Sequence, residues 1–176
     1  MFTDLYLEIS DRIKANLPEI LWCDLWHNQV AYLSEELPFP APAIFIAFHV
    51  TGTEDVGELV QQCNMQIDFY LFFETFADTY SGSANRDDAL EFLKTLTRLH
   101  ALFHGRSGQH FSPMRRVDVT AEDTGNAGNL YRVSFECTAV DYSAQTIYEQ
   151  GEFVDVAISN EPIPERSADM EPLYIF

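Results

Sequence analysis

From Cys63 to Phe73, apolar residues occupy every second position. Cys63, Met65, Ile67, Phe69, Leu71 and Phe73 alternate with Asn64, Gln66, Asp68 and Tyr70. Strand side chains point alternately to two faces, so this period of two, sustained over about eleven residues, specifies a long half-buried strand.

The other elements order themselves around it. Phe2, Leu5, Ile9, Ile13 and Leu17 recur at helical spacing, with Thr3 placed to cap the start and Pro18 beyond the end, which predicts an amphipathic helix over 4–17. Leu21 to Gln29 reads as a strand in which Leu21, Cys23 and Leu25 alternate with Trp22, Asp24 and Trp26. A turn carrying Pro38, Pro40 and Pro42 separates it from Ala43–Thr51, whose nearly continuous apolar run predicts a strand buried on both faces. Residues 51–58 read as a polar, acidic connector. A loop at 79–85 leads to a helix over 86–104, with Asn85 as its cap, Asp88 at the third helical position and Gly105 as its stop. Strands near 113–121 and 130–141 flank the turn-forming stretch 123–129, and Tyr131, Val133, Phe135, Cys137 and Ala139 share one face of the second. A short strand over 152–158 precedes an acidic, proline-containing stretch, 159–172, and the chain closes on Leu173, Tyr174, Ile175 and Phe176. Strand runs on either side of a long helix predict an α+β fold: a mainly antiparallel sheet with two principal helices on one face, in a domain over 1–142 with a C-terminal arm over 143–176. With 47% hydrophobic residues and fourteen phenylalanines, the chain has material for a real core.

Charge is divided along the chain. Residues 15–85 hold ten acids and no lysine or arginine, residues 86–132 hold six acids and seven bases, and residues 133–176 hold nine acids and one base. A net charge of −18 disfavours direct binding to nucleic acid or to an anionic membrane. It leaves a cation, a basic protein surface, or another copy whose arginine-bearing segment meets an acidic one; acidic excess also serves solubility alone. Cys23, Cys63 and Cys137 lack C-x-x-C spacing, and the first residues lack the pattern of a secretory signal. These features predict a soluble protein made in a reducing cytoplasm.

No catalytic signature is present. His100 and His104 lie four apart with His110 nearby, a spacing that suits a metal, but the first histidine has no adjacent glutamate as a zincin helix requires. The plainer reading is packed or hydrogen-bonded histidines. Tyr80–Ala84 has one glycine where a nucleophile elbow has two, and Gly105–Gly108 follows a helix where a phosphate-binding loop would open one. Arg106, Arg115 and Arg116 form the densest basic group; as strand neighbours, Arg115 and Arg116 point to opposite faces. They serve either in local ion pairs with Asp118 or Glu122 or as anchors for an acidic neighbour. Leu173, Tyr174, Ile175 and Phe176 either fold back as an edge strand or dock on another chain.

The helix over 4–17, the alternating strand 63–73, the loop before helix 86–104, and the hairpin from Met114-Arg115-Arg116-Val117 to Tyr131-Arg132-Val133-Ser134-Phe135 together resemble the bacteriophage tail terminator, or tail completion, proteins. The resemblance spans about 1–142 and is one of pattern. It implies ring-forming subunits, of phage or prophage origin, that cap the tail tube and present the surface the head joins. It also implies no catalytic residue and no cofactor. Residues 142–176 depart from a compact terminator and read as an arm reaching a neighbouring subunit. The expectation is therefore a virion structural protein, not an enzyme, that forms a homo-oligomer and meets other tail or head-joining proteins, made in the cytoplasm and ending in the virion tail. The alternatives are a metal-dependent or small-ligand enzyme using His100, His104 and His110, and an adaptor docking through its C-terminal peptide.

Overall fold

The computed structural model describes residues 1–32, 39–74, 79–124 and 128–146. Helix α1 (Phe2–Asn16) buries Leu5, Ile9 and Ile13 along one stripe, and its last turn ends with the Leu17 N–H donating to Ile13 O at 2.8 Å. It starts two residues earlier than its periodicity predicts. Met1 occupies the cap position, so Thr3 lies inside the first turn and does not cap it.

Strand β1 is only Trp22–Leu25, although the alternation predicted a strand to Gln29. The buried amide of Gln29 ends it: its Nε2 donates to Leu25 O at 2.6 Å, and its Oε1 accepts the His27 N–H at 3.0 Å. These bonds turn the chain into a short 3₁₀ segment, Gln29–Tyr32.

β2 (Ala43–Gly57) and β3 (Val60–Phe73) form a long antiparallel hairpin. The stretch expected as a connector, 51–58, is mostly strand: Gly52, Thr53, Glu54 and Asp55 pair with Asn64, Cys63, Gln62 and Gln61. Ladder bonds are made by the main chain, so polar acidic residues extend a strand wherever the partner strand is long enough to meet them. Burial on both faces is confined to Ala43–Ile46; His49 and Val50 are exposed. β4 (Arg115–Glu122) and β5 (Asn129–Asp141) complete a sheet of order β1-β2-β3-β5-β4, in which β1 pairs parallel to β2 and every other neighbour is antiparallel.

The predicted helix over 86–104 is two helices, α2 (Arg86–Ala89) and α3 (Glu91–Phe103), broken at Leu90. Asn85 holds the cap position of α2 without a side-chain cap bond. Along α3, Phe92, Thr95, Leu96, Leu99 and Phe103 are buried. Leu93 lies roughly 100° from the centre of that stripe and is 43% exposed.

Both principal helices cover one face of the sheet, so the fold is α+β as expected. Leu5, Ile9 and Ile13 of α1, and Phe92, Leu96, Leu99 and Phe103 of α3, pack on Ile44, Ile46, the alternating residues of β3, and Val133, Phe135, Cys137 and Ala139 of β5. At its centre Phe69 stacks on Phe103 at 4.9 Å and meets Phe135 edge-on at 5.6 Å. A smaller cluster, Val30, Ala43, Phe45, Phe72 and Leu130 with Trp26 and Phe39, covers one end of the opposite face. That second layer explains why Ala43–Ile46 alone of β2 is buried on both sides.

One compact unit runs from Met1 to Thr146. The expected strand 152–158, the acidic stretch 159–172 and the terminal Leu173–Phe176 lie outside the described residues. Among the described residues no helix is long and apolar enough to cross a membrane.

Candidate interaction surface

The sheet order converts charge division along the chain into charge division across the molecule. The stretch without bases builds β1, β2 and β3, while the stretch richest in bases builds α3, β4 and the start of β5. The two outer strands, β1 and β4, are therefore electrostatically unlike edges.

At the β4 edge, α3 ends beside Met114: the Gly105 N–H donates to Met114 O at 2.8 Å, and the Met114 N–H donates to Arg106 O at 3.1 Å. This pairing sets Arg106 next to Arg115 and Arg116, uniting the three arginines singled out in the sequence. Arg115 and Arg116 do face opposite ways. Arg115 lies across from Glu136 on the face without helices and pairs with it at 2.8 Å, whereas Arg116 lies across from buried Phe135 on the helical face. The expected pairs with Asp118 and Glu122 do not form. Arg132, directly across the ladder, takes both carboxylates at 3.6 and 2.9 Å. Arg106 and Arg116 have no acidic partner among the described residues. Beside them Val117 and Val119 stand 40% and 43% exposed.

The opposite edge is acidic and apolar. β1 pairs only with Ala43–Ile46, so from Ala47 to Gly57 the outer edge of β2 has no strand beside it among the described residues. Glu54, Asp55 and Glu58 are exposed at the hairpin's far end, together with Val56 and Leu59. Nearer β1, a groove of about 600 Å³ is lined by Phe2, Tyr6, Leu25, Trp26, Phe48 and His49. Sequence reasoning missed this surface because it divided β2 at Thr51 and placed Phe2 in the core. The cue was the length of β3, which requires a partner of equal reach.

The histidines do not gather. His100 and His104 face each other with ring centroids 4.5 Å apart. His104 Nδ1 accepts the Arg116 N–H at 3.2 Å, and His100 Nδ1 is buried without a partner among the described residues. Burial, then the charges of Arg116 and His104, holds His100 below the usual imidazole range. His110 instead donates from Nδ1 to Glu8 Oε2 at 3.0 Å. Glu8 also accepts the N–H groups of Gln109 and His110 at 2.7 and 3.0 Å, and Arg12 beside it donates to Ser107 O at 3.0 Å. The loop after α3 is thus clamped onto α1. Among the described residues no group of three or more His, Cys, Asp or Glu is placed to hold a metal ion.

Other reactive groups are quiet. Burial pushes the Cys23 thiol up to about 12, helped by Asp24, and the Cys137 thiol up to about 11, so neither supplies a thiolate near neutrality. A hollow of about 860 Å³ holds Glu19, Asp88 and Glu91, but Arg98 pairs with Glu19 at 3.0 Å and Lys94 pairs with Glu91. On the face without helices, buried Asp68 meets His49 Nε2 at 3.3 Å and Gln66 Nε2 at 3.0 Å, and Trp26 stacks on Tyr70 at 4.0 Å. The features left open are the two sheet edges. No protein-family model and no curated protein matches this chain.

Proposed function

We propose that this chain is a structural subunit of a phage or prophage tail-like assembly, self-associating into a ring at the tail end and meeting other tail or head-joining proteins there. The observation that carries the reading is the pair of unlike sheet edges: Arg106 and Arg116 without acidic partners on one side, and an open strand with exposed Glu54 and Asp55 on the other. A surface whose two ends differ and complement one another associates head to tail, and such contacts close into rings when the rotation between copies permits. Charge complementarity fixes which edge meets which. The resemblance of residues 1–142 to the tail terminators supplies the setting, a tail tube to cap.

Sedimentation of the purified chain at low and at high salt tests the reading. The expected result is a discrete oligomer at low salt that loosens as added salt screens the opposed charges. A strict monomer in both conditions counts against a ring.

A further inference from the structure

We propose that β4 of one copy adds antiparallel to the open edge of β2 in the next, so that the sheets of neighbouring subunits run into one another. This rests on the self-association proposed above and names its contact. Strand addition needs two unpaired backbone edges, and the described residues present two: the outer side of Val117–Glu122, past the point where His104 Nδ1 takes the Arg116 N–H, and the outer side of β2 beyond Ile46.

Charge sets the direction. Antiparallel addition brings Arg115 and Arg116 to the end of β2 that carries Glu54 and Asp55, and leaves Glu122 near Ala47. Parallel addition would bring Glu122 to that acidic end, like charge against like, which opposes association. The bulges agree with the antiparallel choice. β4 is irregular between Arg116 and Asp118, and β2 between Val50 and Gly52. With Val119 beside Val50, residues that share a face meet, the two interruptions still coincide, and Arg115 and Arg116 lie along Thr53–Asp55. Val119 and Val50, each 43% exposed, then cover one another, and Ala121 falls beside Phe48 at the groove that Phe2 and Leu25 also line. The occupant is a second copy because the chain carries both halves of the match. Arg116 needs an acidic partner that its own described residues do not supply, and Asp55, on the same face at the far end of β2, has no ion pair among them.

Charge reversal with rescue tests this contact. Arg116→Glu and Asp55→Lys are each expected to weaken association by about tenfold or more, and the double variant to recover it. Far-ultraviolet circular dichroism confirms that each variant is folded. Independently, an equimolar mixture of a Val50→Cys chain and a Val119→Cys chain is expected to cross-link on mild oxidation, and neither chain alone to do so. An oligomer indifferent to both reversals that gives no mixed cross-link overturns the edge contact and leaves self-association standing. A chain that remains monomeric at its highest soluble concentration overturns both.

Discussion

Glu8 ties together parts of the chain about a hundred residues apart. Burial pushes its carboxyl up, but the N–H groups of Gln109 and His110, with the His110 ring, outweigh burial and hold it below the usual carboxylate range. Its contribution is therefore present above the unfolded carboxylate value of about 4.3 and is lost as pH falls through the folded value. Glu8→Gln should cost about 1–2 kcal/mol at neutral pH and should flatten the lowest part of the acid-unfolding curve. His100 acts higher on the scale. It is a base held below its ordinary value, so the unfolded state takes up a proton more readily, and stability falls as pH drops below about 6.5. His100→Phe should remove that step, read as urea midpoints between pH 7 and pH 5; parallel curves for variant and parent would refute the assignment. The pairing of the first helix with Arg106–Phe111 left no trace in the sequence, because a carboxylate finds its donors in space and not by spacing.

Element by element, what was legible followed from burial. The alternation of β3 and β5 and the stripe of α1 match the buried residues because, away from the end where the second cluster takes Phe72 and Leu130, each lies against a single apolar layer, the condition under which periodicity reports a face. β1 was over-extended because buried Gln29 turns the chain by bonding Leu25 O, a polar event inside an apolar-looking run. Leu90 breaks the predicted helix without a proline or glycine to announce it. The β4–β5 hairpin does rest on a readable residue, Gly128, at φ +139°. A Cβ there would stand 2.3 Å from Phe73 O, and that backbone is fixed because Phe73 pairs with Asn129. Gly128→Ala should therefore cost about 1–3 kcal/mol, seen as a lower denaturant midpoint with the slope unchanged. A variant as stable as the parent would show that the turn can rearrange.

On the scale of the whole molecule, both apolar clusters draw their described members from Met1–Thr146. A chain ending at Thr146 should unfold cooperatively with a midpoint near that of the parent; loss of folding would assign the terminal Leu173–Phe176 to the sheet as an edge strand. The same truncation separates fold from assembly, since an oligomer that survives it does not depend on the last thirty residues. By itself, the sequence determined the class of fold, the buried faces of its longest strands and first helix, and the uneven distribution of charge, because each is a local pattern repeated over many residues. Only the tertiary structure decided that the division of charge falls across the sheet, that Arg132 takes the carboxylates expected of Arg115 and Arg116, and that β2 extends past its first partner. Those outcomes depend on which strands become neighbours, and neighbours are chosen by long-range pairing that no local pattern encodes.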